Sequence, residues 1–173
     1  MKYIKNICNS IGLVSQWSGR IWSFLVVFMI LIITFDVTMR YIFNKPTQWA
    51  YDVSYMLLAT FISMGFCFVM RHRNHVRVDV LYSHLSPRGK LIVDLLFTLI
   101  IFFPLFFKLT MVTFSDVLYA LEVNEKTAVT YWYTPTAPYK LMVAIGLALF
   151  FLQGVATFLE DLASLIKGGK KPW

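Results

Sequence analysis

Four long apolar blocks, separated by short polar or charged stretches, dominate this sequence. They are built around the segments IWSFLVVFMILIITF, WAYDVSYMLLATFISMGFCFVM, LIVDLLFTLIIFFPLFF and YKLMVAIGLALFFLQGVATFL. A helix rises about 1.5 Å per residue, so about 20 residues cross a hydrocarbon core of about 30 Å. With the residues that flank it, each block reaches this length. The sequence therefore predicts four transmembrane helices.

The composition indicates lipid as the solvent of these helices. Hydrophobic residues make up 58% of the 173 residues and charged residues only 14%, which is a membrane composition. The formal net charge of +7 would favour nucleic-acid binding if the basic residues formed one stripe, but most of them flank the apolar blocks. We expect an all-α membrane protein with one membrane domain over 1–173 and no nucleic-acid partner.

Prolines, capping residues and charge clusters mark the predicted boundaries. Ser86 and Pro87 suit the N-cap and first position of a helix, and Pro104 is expected to bend the helix that follows. Lys2 and Lys5 precede an apolar run too long for a signal peptide and without a cleavage motif, so we expect it to be retained. The predicted elements are an in-plane amphipathic helix over 1–17, spans over 20–42 and 47–70, a basic loop over 71–86, a long third span over 87–120, a loop over 121–134 and a fourth span over 135–166.

Two segments are too polar to cross a bilayer but apolar enough to lie along it. In the first, apolar residues recur at helical spacing at Ile4, Ile7, Ile11 and Val14. In the second, a short helix within the 71–86 loop, Val80, Leu81 and Leu85 follow Asp79. Both predict amphipathic helices in the membrane plane, at the cytoplasmic surface.

The distribution of lysine and arginine predicts the orientation of the chain. Eleven basic residues fall on one predicted side, namely Lys2, Lys5, Arg20, Arg71, Arg73, Arg77, Arg88, Lys90, Lys167, Lys170 and Lys171. Four fall on the other, namely Arg40, Lys45, Lys126 and Lys140. Cytoplasmic loops carry the excess, so both termini and the 71–86 loop are expected in the cytoplasm. Phospholipid headgroups are the expected contacts of Arg73, Arg77, Arg88 and Lys90.

The sequence contains none of the common motifs of catalysis or cofactor binding. It has no glycine-rich phosphate loop, CxxC pair, HExxH or GxSxG. The three histidines, His72, His75 and His84, lie together between the second and third spans, whereas a membrane haem needs histidines within the helices. The chain is therefore expected to be neither an enzyme nor a cofactor or metal carrier.

The residues leave three functions open. A transporter acting alone normally carries several polar groups near the midplane, and these spans offer few, which favours a subunit whose partner does the transport. A small homo-oligomeric transporter could instead couple through Asp36, Arg40 and Asp52. A membrane anchor or assembly subunit of another complex is the third possibility. Asp36 and Arg40 lie four residues apart on one helical face, where a local ion pair is the simplest interpretation.

Several positions along nearly the whole chain resemble one family. They are Arg40, Pro46, Trp49, Asp52, Gly65, Arg71 and the string His75-Val76-Arg77-Val78-Asp79-Val80-Leu81, with weaker likeness at Thr127 and over 135–138. Together they resemble the small membrane subunit, the DctQ type, of tripartite ATP-independent periplasmic (TRAP) transporters. The family more often has glutamate where this chain has Asp52, which keeps the charge and shortens the reach.

The resemblance implies a function and partners. It implies a non-catalytic scaffold in a bacterial inner membrane, paired with a large multi-span subunit that carries the sodium and substrate sites and works as an elevator. A periplasmic binding protein would deliver an organic acid such as sialic acid or a C4-dicarboxylate. The expected interface or family-motif positions are Arg40, Trp49, Asp52, Gly65, Arg71, His75 and Asp79. Docking of the binding protein is expected at Glu122, Glu125 and Lys126.

Overall fold

The computed structural model describes residues 2–72 and 86–166, and all regular structure in those ranges is helical. Helices α1 (Lys2–Tyr41) and α2 (Ala50–Arg71) are followed by α3 (Pro87–Phe97), a π-helical turn (Thr98–Phe102), α4 (Phe103–Glu122) and α5 (Ala137–Ile166). Four stretches are long and apolar enough to cross a membrane: Asn9–Tyr41, Ala50–Arg71, Arg88–Glu122 and Ala137–Ile166. The prediction of an all-α chain with four such helices is confirmed.

Helix α5 lies at the centre of the bundle, where it packs against α1, α2 and the third span, and α1 also packs along α2. A Cβ atom on Gly146 of α5 would lie 2.7 Å from the carbonyl carbon of Ser63 on α2, so only glycine allows this approach. Further along the same two helices, Cys67, Met70 and Phe150 are buried together. The rings of Phe102 and Phe106 cover Phe150 from the third span, at centroid distances of 5.3 and 4.8 Å.

Helix α1 differs from its prediction. The sequence predicted an in-plane helix over 1–17 and a separate span over 20–42, but the structure has one uninterrupted helix, Lys2–Tyr41, about 60 Å long at the usual rise. Ser15 and Ser18 are buried against α5 and α2, respectively. The hydroxyls of both serines are bonded inside the bundle. The predicted boundary is therefore absent, and the second predicted in-plane helix lies outside the described residues.

The third span carries a widened turn next to its proline. Pro104 has no N–H to donate, and its ring crowds the carbonyl four residues earlier in a regular α-helix. In the five-residue π turn Thr98–Phe102, the N–H of Phe103 instead bonds the carbonyl of Thr98. This wider turn accommodates the proline without ending the helix. At the start of α3 the predicted cap is confirmed, since the Ser86 hydroxyl accepts the N–H of Gly89 at 3.2 Å.

Candidate functional site

The α4–α5 loop, residues 123–136, is a folded hairpin rather than a plain connection. Lys126 and Pro135 form an isolated antiparallel bridge, and the N–H of Thr127 bonds the carbonyl of Thr134 at 2.8 Å. Asn124 and Tyr133 adopt left-handed backbone angles, with φ of 48° and 51°, which turn the chain at the base and near the apex. The loop therefore holds a definite shape at this end of the bundle, which we call the loop end.

A buried carboxylate joins this loop to α2. Asp52, in the first turn of α2, is only 3% exposed, and its Oδ2 accepts a hydrogen bond from the Thr130 hydroxyl at 2.5 Å. The hydroxyl oxygen of Thr130 in turn accepts the N–H of Trp132 at 3.3 Å. Backbone N–H groups at a helix N-terminus favour a nearby negative charge. The position suits a carboxylate that serves as a structural acceptor.

An ion pair fixes the base of the same loop. The ammonium of Lys140, in the first turns of α5, lies 2.5 Å from the Glu125 carboxylate, whose side chain is 34% exposed. This hydrogen bond and the positive charge of Lys140 lower the pKa of Glu125 against a smaller opposing effect of burial. The Glu125 carbonyl also accepts the N–H of Thr136 at 3.0 Å. The predicted docking residue Glu125 is thus already engaged within the chain.

The α1–α2 loop is tied down in a similar way. The guanidinium of Arg40 lies 3.0 Å from the Asp36 carboxylate, which confirms the predicted local ion pair. The second oxygen of Asp36 accepts hydrogen bonds from the N–H and hydroxyl of Thr47. Nearby, the rings of Phe35 and Trp49 stack with their centroids 6.1 Å apart. Asp36 and Asp52 therefore have different partners, and the structure does not join them with Arg40 in one coupling site.

The other predicted residues are dispersed. Gly65 faces open space on α2, since a Cβ added there meets no atom within 4 Å, whereas the Arg71 side chain lies directly against Gly12 of α1. Glu122, Lys126 and Arg88 are exposed, and Lys90 is half-buried. His75, Asp79, Arg73 and Arg77 lie outside the described residues. Within residues 2–72 and 86–166, no group of three histidine, cysteine or acidic side chains could hold a metal ion.

Sequence reasoning missed the polar partners that lie across the bundle. Thr130 was not identified as the donor to Asp52, because nothing in a threonine-rich loop shows which hydroxyl reaches a given helix. Gln153, in the middle of the fourth apolar block, was a visible signal, because an amide within a span usually bonds to a neighbouring helix. It accepts the hydroxyl of Ser15 at 2.8 Å.

A comparison with protein families matches residues 29–164 to the family described as "Tripartite ATP-independent periplasmic transporters, DctQ component". The match runs from the middle of α1 almost to the end of α5, well over half of the 173 residues. No curated protein and no solved structure matches the chain. The family is a non-catalytic component of transporters that also contain a large membrane subunit and a periplasmic binding protein. This multi-pass membrane protein therefore belongs to the DctQ family, the small membrane subunits of TRAP transporters, and is not an enzyme.

Proposed function

We propose that this chain is the scaffold subunit of a sodium-coupled TRAP transporter that takes up an organic acid, such as sialic acid or a C4-dicarboxylate. It pairs with a large elevator-type subunit in a bacterial inner membrane, and both of its termini face the cytoplasm. The sodium and substrate sites belong to the large subunit. The observation that carries the proposal is the DctQ family match over four apolar helices.

The contacts of the acidic residues at the loop end support a scaffold role. Asp36 is bonded to Arg40 and Thr47, Asp52 to Thr130, and Glu125 to Lys140. A coupling site needs ionisable groups that can exchange partners with an ion or a substrate. Here the three carboxylates hold two loops against the helices. Such contacts give a fixed frame against which a moving subunit can slide.

The exposed apolar faces offer room for the large subunit. On α2, Gly65 leaves a notch beside exposed Ile62, Phe66 and Val69, and a small residue on a membrane helix lets another helix approach closely. We therefore place Gly65 in the subunit interface, with His75 and Asp79 of the basic loop as further proposed contacts. Arg71, packed against Gly12, and Asp52 would support the interface from within the chain.

The remaining assignments concern the two membrane surfaces. At the loop end, exposed Glu122 and Lys126, with partly exposed Glu125, form the proposed docking surface for the binding protein. On the opposite side, Arg88, Lys90, Arg73 and Arg77 are proposed to contact the anionic headgroups of the cytoplasmic leaflet. In this proposal the chain contacts the binding protein at the loop end and the lipid headgroups at the opposite membrane surface.

Reconstitution tests this function. The chain is co-expressed with a large TRAP subunit and a periplasmic binding protein from the same organism, and sodium-driven uptake of radiolabelled sialic acid and succinate is measured in proteoliposomes. We expect uptake of one of them only when all three proteins and a sodium gradient are present. Uptake by the chain alone would instead support the small homo-oligomeric transporter. A haem or quinone absorbance in the purified complex would support an anchor for an electron-transfer enzyme.

A further inference from the structure

The apex of the α4–α5 loop, residues 129–133, stands over a gap. A cavity of about 420 Å³ lies between the loop and the first turns of α2 and α5, and its walls include Asp52, Tyr55, Val129 and Tyr139. The side chains of Val129 and Tyr131 are 70% and 81% exposed. Close packing therefore contributes little to fixing the apex, and directional hydrogen bonds have to supply most of the restraint.

Those hydrogen bonds form a short relay from α2 to the loop backbone. The Asp52 carboxylate accepts the Thr130 hydroxyl at 2.5 Å, and the Thr130 oxygen accepts the N–H of Trp132 at 3.3 Å. Hydrogen bonds to an ionised acceptor are stronger than those between neutral groups. One buried side chain is thus connected to the backbone of the apex.

The base of the loop is restrained by other contacts. The bridge between Lys126 and Pro135 and the ion pair of Glu125 with Lys140 involve neither Asp52 nor Thr130. Removal of the relay should therefore release the apex while the base keeps its shape. Hydrogen exchange at the apex can be measured separately from exchange at the base, because the two parts of the loop consist of different residues.

We propose that Asp52 is a positioning residue, which acts through Thr130 to hold residues 129–133 in one conformation as a preformed contact surface. The surface presents Tyr131, Trp132 and Tyr133, and aromatic side chains held in place lose less conformational entropy when a partner binds. Its use in docking the periplasmic binding protein rests on the proposed function. The restraint of the apex by Asp52 does not.

Hydrogen exchange of the purified chain in lipid nanodiscs, followed by mass spectrometry, tests the restraint. Asp52→Ala and Thr130→Val should each speed exchange in the peptide covering 129–133 by about tenfold or more. Asp52→Asn keeps an acceptor oxygen and should stay within about threefold of the wild type. The double variant Asp52→Ala with Thr130→Val should exchange no faster than Thr130→Val alone, because Thr130→Val already removes both hydrogen bonds of the relay.

Thr113→Val is the matched control. It also removes a threonine hydroxyl, but from a partly exposed site on α4 where the hydrogen bond is local, to the carbonyl of Leu109. It should leave apex exchange unchanged. If Asp52→Ala unfolds the helices, the Thr130→Val variant alone tests the restraint, because Thr130 lies in the loop and its replacement leaves the helices intact. Apex exchange within about twofold of the wild type in a folded Thr130→Val variant would overturn the proposal.

Uptake by the complete transporter separates this proposal from docking. Faster apex exchange together with reduced binding-protein-dependent uptake supports both the restraint and the docking role. Faster apex exchange with unchanged uptake supports the restraint but contradicts docking of the binding protein through the apex. Unchanged exchange overturns the restraint, whatever the uptake.

Discussion

The hydroxyl of Ser15 lies 2.8 Å from the side-chain oxygen of Gln153, and this hydrogen bond joins α1 to α5 between two side chains that are almost completely buried. The amide nitrogen of Gln153 also lies 3.5 Å from the Thr157 hydroxyl. A polar contact of this kind positions helices that apolar packing alone would allow to slide.

Replacing Gln153 should loosen this contact. Gln153→Met keeps the volume but removes the hydrogen bond, and such bonds between membrane helices contribute about 1 kcal/mol. We expect the free energy of unfolding in bicelles, measured by steric trapping, to fall by about that amount. Ser23→Ala is the control, because the Ser23 hydroxyl bonds only locally, to the Arg20 carbonyl, on an exposed face. Equal stability of the two variants would contradict the role of Gln153.

Gly146→Ala should destabilise the isolated chain. The added methyl would lie 2.7 Å from the Ser63 backbone, so α2 and α5 must move apart. Overpacking costs about 1–3 kcal/mol, which exceeds the helix-propensity gain of about 1 kcal/mol from replacing glycine. The expected result is a lower midpoint of thermal unfolding in detergent. A midpoint at or above that of the wild type would show that the helices can separate without cost.

Gly65→Leu should leave the stability of the isolated chain unchanged but weaken its complex with the large subunit. Open space surrounds Gly65 in the isolated chain, so a larger side chain is accommodated and thermal unfolding should be unchanged or slightly improved. In the complex the leucine would fill the proposed notch, and we expect the amount of large subunit that co-purifies to fall severalfold. With Gly65→Ala, which adds only a methyl group, the amount of co-purified large subunit should lie between those of the wild type and Gly65→Leu. Full co-purification of the large subunit with Gly65→Leu would contradict the assignment of Gly65 to the interface.

The contact between Glu125 and Lys140 should make the loop sensitive to acid. Because Lys140 lowers the folded-state pKa of Glu125, the stabilisation is complete above the unfolded-state value of about 4.3 and is lost as the pH falls through the lowered folded value. Hydrogen exchange at the loop base, corrected for its intrinsic pH dependence, should accelerate over that range. Glu125→Gln should remove this acceleration, whereas Glu122→Gln, on the exposed end of α4, should keep it. Identical profiles for both variants would contradict the assignment.

Much of the fold follows from local sequence features. The Ser86 cap, the Asp36–Arg40 pair and the four apolar helices were predictable, because each depends on residues within a few positions of one another. The in-plane helix was predicted to end at residue 17, with Lys5, Asn9 and Gln16 on its polar faces, but α1 continues through this position without a break. In the same segment Ser15 is buried and bonds Gln153, 138 residues away, a contact that the local sequence does not show.

Hydropathy and motif positions are enough to indicate a membrane environment, four helices and the family, because they depend on the identity of each residue and not on where distant segments meet. The long-range contacts come from the three-dimensional packing: Asp52 bonds Thr130, Ser63 faces Gly146 while Gly65 faces outward, and Gln153 accepts the Ser15 hydroxyl. Each of these contacts requires two positions far apart in the chain to come within a few ångströms of each other. Hydropathy carries no information on that distance.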